Sequence, residues 1–319
     1  MPQLATVPVL AEVIRSGFVE GHHHGSLVLL AADGSVEFAL GDPDAPVFPR
    51  STAKPFQAVA TLRAGLSIDA ELLALAASSH SAESFHLAGV RAILGAAGLD
   101  ESALRTPADL PLDETEAELL LGAGGRRAPI LMDCSGKHAG WLAACVANGW
   151  DTESYLDPSH PIQLLAREAL EEGTGETPAH AGVDGCGAPL LAVTLTGLAR
   201  GYRGLVLAPE GSAPRRVADA MRAHPEYVAG TRRADTWLMR AIPGALSKMG
   251  AEAVQVVALP DGRALAFKID DGGERARGPV LAAALRRLGV AGADETVERI
   301  GAAPLFGGGA PVGQVRAAF

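Results

Sequence analysis

The stretch FPRSTAKPFQ holds a hydroxyl and an amine three residues apart, Ser51 and Lys54, with Pro55 immediately after. Proline has no N–H to donate and is comfortable only in the first turn of a helix. Phe56, Val59 and Leu62 then recur at about one-turn spacing up to Gly65, so a helix must begin close to Ser51. Ser51 and Lys54 would share one face of its first turn, beside unpaired N–H groups and the positive end of the helix dipole. That setting favours a developing anion and disfavours an ammonium. A serine hydroxyl is inert at its own pKa and needs a base. A lysine serves as that base only with a neutral amine, which burial or a neighbouring positive charge provides. The competing reading is a helix-capping serine followed by a solvated lysine.

Four more stretches carry residue types capable of chemistry. AASSHSAESFH, residues 76–86, packs Ser78, Ser79, His80, Ser81, Glu83 and His86 between two helical patterns. MDCSGKHAGW, residues 132–141, holds Cys134, Lys137 and His138 among glycines. GVDGCGAP, residues 182–189, sets Asp184 and Cys186 between glycines, which let a backbone approach a ligand closely. Cysteine beside histidine or aspartate invites a metal reading, although the paired C-x-x-C of a zinc ribbon is absent; buried cysteines in turns fit the same letters. Cys145, inside WLAACVANG, reads as a core residue. In FKIDDG, residues 267–272, Lys268 belongs to an alternating strand, either as an exposed edge lysine or as an amine facing a site from the sheet.

The elements that must position these residues are strands at both ends and helices between. VLAEVIRSG, GSLVLLAAD and GSVEFALGD are β-rich, with a turn at Asp33-Gly34; AVQVVALPDG and RALAFKIDDG form a hairpin pattern around Asp261-Gly262. Helical patterns fill the middle, and PVLAAALRRLG reads as a last helix. APEGSAPRR is a loop, of the kind found on surfaces or between domains. Late strands joining early ones in one antiparallel sheet make an α+β protein rather than a doubly wound one.

Bulk properties exclude several functions. With 319 residues, 48% of them hydrophobic, the chain can bury an ample core. A net charge of −10 and no basic stripe with interleaved aromatics argue against nucleic acid as a partner. No apolar run reaches the roughly 20 residues that span a bilayer, so no membrane partner is expected. MPQLATVPVLAEVIRSG has no basic leader and is interrupted by Glu12 and Arg15, so it reads as a strand rather than a signal peptide. Three scattered cysteines without an export signal point to free thiols and a cytoplasmic location.

FPRSTAKPFQ, SSHSAESFH, CSGKHAGW, DGCGAP and KIDDG occur in the order seen in the Rhizobium etli-type L-asparaginases, which the chain resembles over roughly residues 8 to 317. VEGHHHG, HPEYVAGTRRADTWLMRA and SKMGAE are looser matches. The S-x-x-K element is also the nucleophile signature of penicillin-binding proteins and serine β-lactamases. The resemblance implies a β-lactamase-like fold, with one domain over residues 1–319 that hydrolyses L-asparagine to L-aspartate and ammonia as a homodimer. It implies Ser51 as nucleophile, Lys54 as base, and Ser79 with Lys268 as a second Ser–Lys pair. It further implies zinc on Cys134, Lys137 and Cys186, with Asp184 nearby through water, and substrate contacts from Arg50, His80, Glu83 and Asp184. Ala82 stands where the family usually has glycine, and KIDDG carries one residue more than the family pattern, leaving Asp270 and Asp271 as alternatives. A glutaminase or broader amidase would use the same machinery. A zinc-binding or redox-sensing module would bind metal and release no ammonia.

Overall fold

The alternating N-terminal stretch forms β1 (Val9–Arg15), β2 (Phe18–Leu30) and β3 (Val36–Leu40) in a computed structural model that describes residues 7–319. Residues 1–6, the first part of the segment read as a strand, lie outside the described residues. Short β4 (Pro46–Val47) leads into a 3₁₀ turn, Arg50–Ala53, and then α1 (Lys54–Arg63). The helical middle continues through α2 (Ala70–Ala76), α3 (Ser84–Ala96), α4 (Glu114–Gly122), α5 (Ser135–Asn148) and α6 (Pro161–Thr174). After β5 (His180–Val183) and β6 (Pro189–Thr194) come α7 (Leu195–Leu207), α8 (Ala213–Ala223), α9 (Pro225–Ala229) and α10 (Ala234–Ala241). The chain returns to the sheet with β7 (Leu246–Gly250), β8 (Val254–Ala258) and β9 (Ala264–Ile269). It ends with α11 (Glu274–Arg287), α12 (Asp294–Gly301), β10 (Pro304–Gly307) and β11 (Ala310–Ala317).

The main sheet is antiparallel in the order β10-β11-β1-β2-β9-β8-β7, with β3 also paired to β2. First and last strands meet, β1 on β11 and β2 on β9, where Leu27 lies opposite Phe267. This is the expected α+β architecture, an antiparallel sheet from both chain ends with helices between. Strand alternation divides the core. Val28 and Leu30 pack with residues of α1, α7 and α8, whereas Leu27 and Leu29 pack with α11 and α12. Each such fully buried side chain is worth about 1.5–3 kcal/mol relative to exposure. A third apolar cluster, around Leu75, Ile93 and Trp141, ties α2, α3 and α5 together.

Both expected hairpin turns form, with Gly34 and Gly262 at positive φ. Three details differ. α1 begins at Lys54, and Ser51 sits one step earlier in the 3₁₀ turn. The end of APEGSAPRR is helical, because Ser212 accepts from the Arg215 N–H and caps α8. The presumed last helix is followed by α12 and the β10–β11 hairpin, whose Gly-rich sequence hides its alternation. Among the described residues no helix is long and apolar enough to cross a membrane.

Candidate active site

Ser51 is positioned by a braced turn. Arg50 just before it adopts φ 52°, a left-handed conformation that costs a non-glycine residue about 1–3 kcal/mol. Tyr202 Oη donates to the Thr52 carbonyl at 2.8 Å, and Thr52 Oγ1 donates to Pro49 O at 2.7 Å. Gly250, at the end of β7, lies so close that a Cβ there would stand 2.8 Å from Pro49 O and 3.3 Å from Ser51 N. Ser51 lines a cleft of about 780 Å³, and its hydroxyl has no hydrogen-bond partner among the described residues. Lys54, one turn on, is buried at 2% exposure.

Behind Ser51 lies a buried chain of polar groups. Ser79 Oγ receives hydrogen bonds from Lys54 Nζ at 2.9 Å and Lys248 Nζ at 2.8 Å. The two amines differ in charge state. Burial works against the Lys54 ammonium, but Asp133, 3.0 Å away, together with Cys134 holds its pKa above the ordinary lysine value. Asp133, against the opposing effect of burial, is held well below the usual carboxylate range by the Lys54 charge. Lys248 has no carboxylate within ion-pair distance among the described residues. Burial, then the neighbouring Lys54 charge, push it down to about 7, with Asp235 and Asp133 acting in the opposite sense. At neutral pH Ser79 therefore sits between an ammonium and an amine that is half neutral.

Lys248 replaces the expected Lys268 as the second lysine. Lys268 Nζ donates to the carbonyls of Glu252 and Ile269 at 3.0 and 3.1 Å and does not reach Ser79. The reason is strand order. β7 is the edge strand packed on the Ser51 turn, and β9 lies two strands away, roughly 10 Å. SKMGAE held the signal, a lysine two residues before a glycine at a strand end, but nothing in one sequence separates it from an ordinary strand lysine.

The cluster at residues 78–83 supports rather than lines the cleft. His80 Nδ1 accepts from the Ala82 N–H, so Nε2 carries the proton and donates to Ser135 Oγ, which donates to Ile130 O. Burial, then the stacked His86, keep His80 neutral. Both Glu83 carboxylate oxygens are occupied by Thr231, through its N–H at 2.7 Å and its hydroxyl at 2.8 Å. Neither His80 nor Glu83 faces the cleft, contrary to expectation. Ala82 has φ 59°, which accounts for a glycine preference there. Arg50 and Asp184 do line the cleft, and they pair with each other at 2.8 Å. Of the two KIDDG aspartates, Asp271 accepts from His23 at 2.8 Å and from the Gly273 N–H, fixing the loop at the cleft edge.

Cys134 and Cys186 both line the cleft and are buried. Lys137 Nζ lies 3.2 Å from Cys186 Sγ. The neighbouring Cys134 thiol and the Lys137 charge hold the Cys186 thiol below its ordinary pKa, while burial opposes them. His138, expected as a possible neighbour, accepts from Tyr155 Oη at Nδ1, because that hydroxyl itself accepts from the Arg105 N–H. Its Nε2 is buried without a nitrogen or oxygen partner on the Cys186 side. Among the described residues no three histidine, cysteine or carboxylate side chains converge as a metal site. The third donor here is an amine. Two thiols and that amine are a donor set that suits zinc.

The L-asparaginase II family model matches residues 11–317 of the chain. No curated protein matches it. Among solved structures, Mglu in its native form aligns at 17% identity over 83% of this chain, with a TM-score of 0.43; the chain spans 64% of that structure's length. A β-lactamase from Mycobacterium bovis aligns at 15% identity over 89% of this chain and 97% of its own, with a TM-score of 0.44. A probable glutaminase from Bacillus subtilis, complexed with 6-diazo-5-oxo-L-norleucine, aligns at 12% identity over 87% and 88%, with a TM-score of 0.38.

Proposed function

The chain belongs to the L-asparaginase II family, and on that premise we propose that it is an amidohydrolase that releases ammonia from the side-chain amide of L-asparagine through an ester on Ser51. The observation that carries this reading is the Ser79 hydroxyl held between two buried amines behind the cleft-lining Ser51. Lys54 alone is a poor base, because its partner Asp133 keeps it protonated. Lys248 removes that obstacle. Ser79 passes its hydroxyl proton to neutral Lys248 and takes one from Lys54. Lys54, now neutral, takes the Ser51 proton as Oγ bonds to the amide carbon and the carbonyl electrons move to oxygen. The Ser51 N–H at the head of the turn would donate to that oxyanion. Collapse expels ammonia, which leaves with the proton from Lys54. Water then attacks the ester, losing its proton along the same chain, and aspartate departs from restored Ser51. The cleft mixes cations such as Arg50 and Arg233 with anions such as Asp184 and Glu252, which suits a zwitterionic amino acid.

Zinc would be held at the cleft floor by Cys134, Cys186 and Lys137, where it would supply a fixed positive charge that orients the substrate. Asp184, tied to Arg50, connects that floor to the Ser51 turn.

Ammonia release from L-asparagine and L-glutamine by the purified protein tests this reading. One methylene is worth about 1–3 kcal/mol in such a pocket, so asparagine should be preferred by roughly 10- to 200-fold. Ser51→Ala should lose about 10⁴-fold in kcat with an unchanged melting curve. Retained turnover in Ser51→Ala beside a dead Ser79→Ala would move the nucleophile to Ser79. No ammonia from either amide would leave a non-catalytic module.

A further inference from the structure

Four arginines line the cleft, and three are already committed. Arg50 Nε donates to Asp184 at 2.8 Å. Arg232 Nη2 reaches Asp113 at 2.8 Å and Glu116 at 2.6 Å. Arg277 is 8% exposed, donates to the Gly250 carbonyl at 2.7 Å and pairs with Glu274. Arg233 has no carboxylate within ion-pair distance among the described residues; the one hydrogen-bond acceptor recorded for its guanidinium is the thioether of Met249, a weak acceptor that Arg277 also reaches at 3.1 Å. A planar fork of five donors beside a cleft, without an anion, is a site prepared for a carboxylate.

Two further observations place Arg233 next to the chemistry and hold it there. Met249 lies between Lys248, which donates to Ser79, and Gly250, which packs on the Ser51 N–H. The loop carrying Arg233 is clamped by Glu83 through both Thr231 groups, and by Ser81 Oγ, which donates to Ala229 O at 2.6 Å. The Glu83 and Ser81 cluster thus fixes this loop.

We propose that Arg233 binds a carboxylate of the substrate on the Met249 side of Ser51, so that the enzyme selects amides that carry a free carboxylate over amides that lack one. The proposal rests on the amidohydrolase reading for its substrate, but its binding test does not. Two measurements decide it on the full chain. The first is the ratio of kcat/KM for L-asparagine to that for L-asparaginamide, in which the α-carboxylate is capped as an amide. The second is the affinity for L-aspartate, titrated calorimetrically without turnover. Arg233→Gln should lower both the ratio and the aspartate affinity by about 30- to 100-fold, the scale of losing one charged hydrogen-bonded partner. Arg233→Lys, which keeps charge but loses the fork, should fall between and serves if the glutamine variant does not fold. A folded variant with unchanged ratio and unchanged aspartate affinity overturns the proposal. If the wild type releases no ammonia, the amidohydrolase reading falls by itself. Aspartate binding that depends on Arg233 would then still support the subsite, and binding that is absent or indifferent to Arg233 would overturn it.

Discussion

At the scale of single residues, the site turns on two lysines that share one oxygen and differ in charge. Lys54 has a carboxylate at 3.0 Å and stays an ammonium; Lys248 has none, is fully buried beside that ammonium, and sits near 7. The Ser79 hydroxyl has lone pairs for Lys54 and one proton for Lys248, which gives the proposed proton relay its direction. Lys248→Met should therefore lose at least about 10³-fold in kcat while Lys268→Met retains activity near wild type, measured as ammonia release. The opposite pattern would restore Lys268 to the site. Ser51, Lys54 and Ser79 stand out as candidates because proline placement and a dense polar cluster mark them locally. Lys248 does not, since only the pairing of β7 at the sheet edge makes it buried and brings it to Ser79.

Elements deliver these residues by close contacts between backbones. α5 carries Lys137 and packs on α2 through Gly136, where a Cβ would meet the Leu75 carbonyl at 2.4 Å. Backbone cannot yield as a flexible side chain does, so Gly136→Ala should destabilise the fold by about 1–3 kcal/mol, read as a lower midpoint in denaturant at unchanged slope. An unchanged midpoint would mean that the α2–α5 contact is loose. Glu83→Gln should leave the melt nearly unchanged, because Glu83 is on the surface side, but raise KM by freeing the Thr231 loop. A KM equal to wild type would remove Glu83 from substrate recognition. The sequence showed α1 and the β8–β9 hairpin through Pro55 and Asp261-Gly262. It concealed β10–β11, where four glycines interrupt the alternation.

For the whole molecule, the chain's two ends build one sheet, and the helical middle packs the Ser51 turn, α8 and α10 against its β7 edge. This layout was readable from strands at both termini, whereas strand order, which decides the second lysine, was not. The same layout gathers Cys134 and Cys186 from segments 52 residues apart around Lys137. Purified protein should carry about one zinc per chain, and Cys186→Ser should lose most of it. Full retention would shift the ligand set toward His138. In the proposed reaction Lys248, through Ser79, sets the protonation state on which Ser51 depends. The most direct measurement is kcat/KM for L-asparagine from about pH 5 to about pH 10. Below 7 Lys248 is protonated and cannot accept the Ser79 proton; above 7 it is neutral. The rate should rise about tenfold per pH unit up to an apparent pKa near 7 and be level beyond it. A rise that continues to about pH 10, as an unperturbed lysine would give, or a flat profile throughout, would contradict the claim.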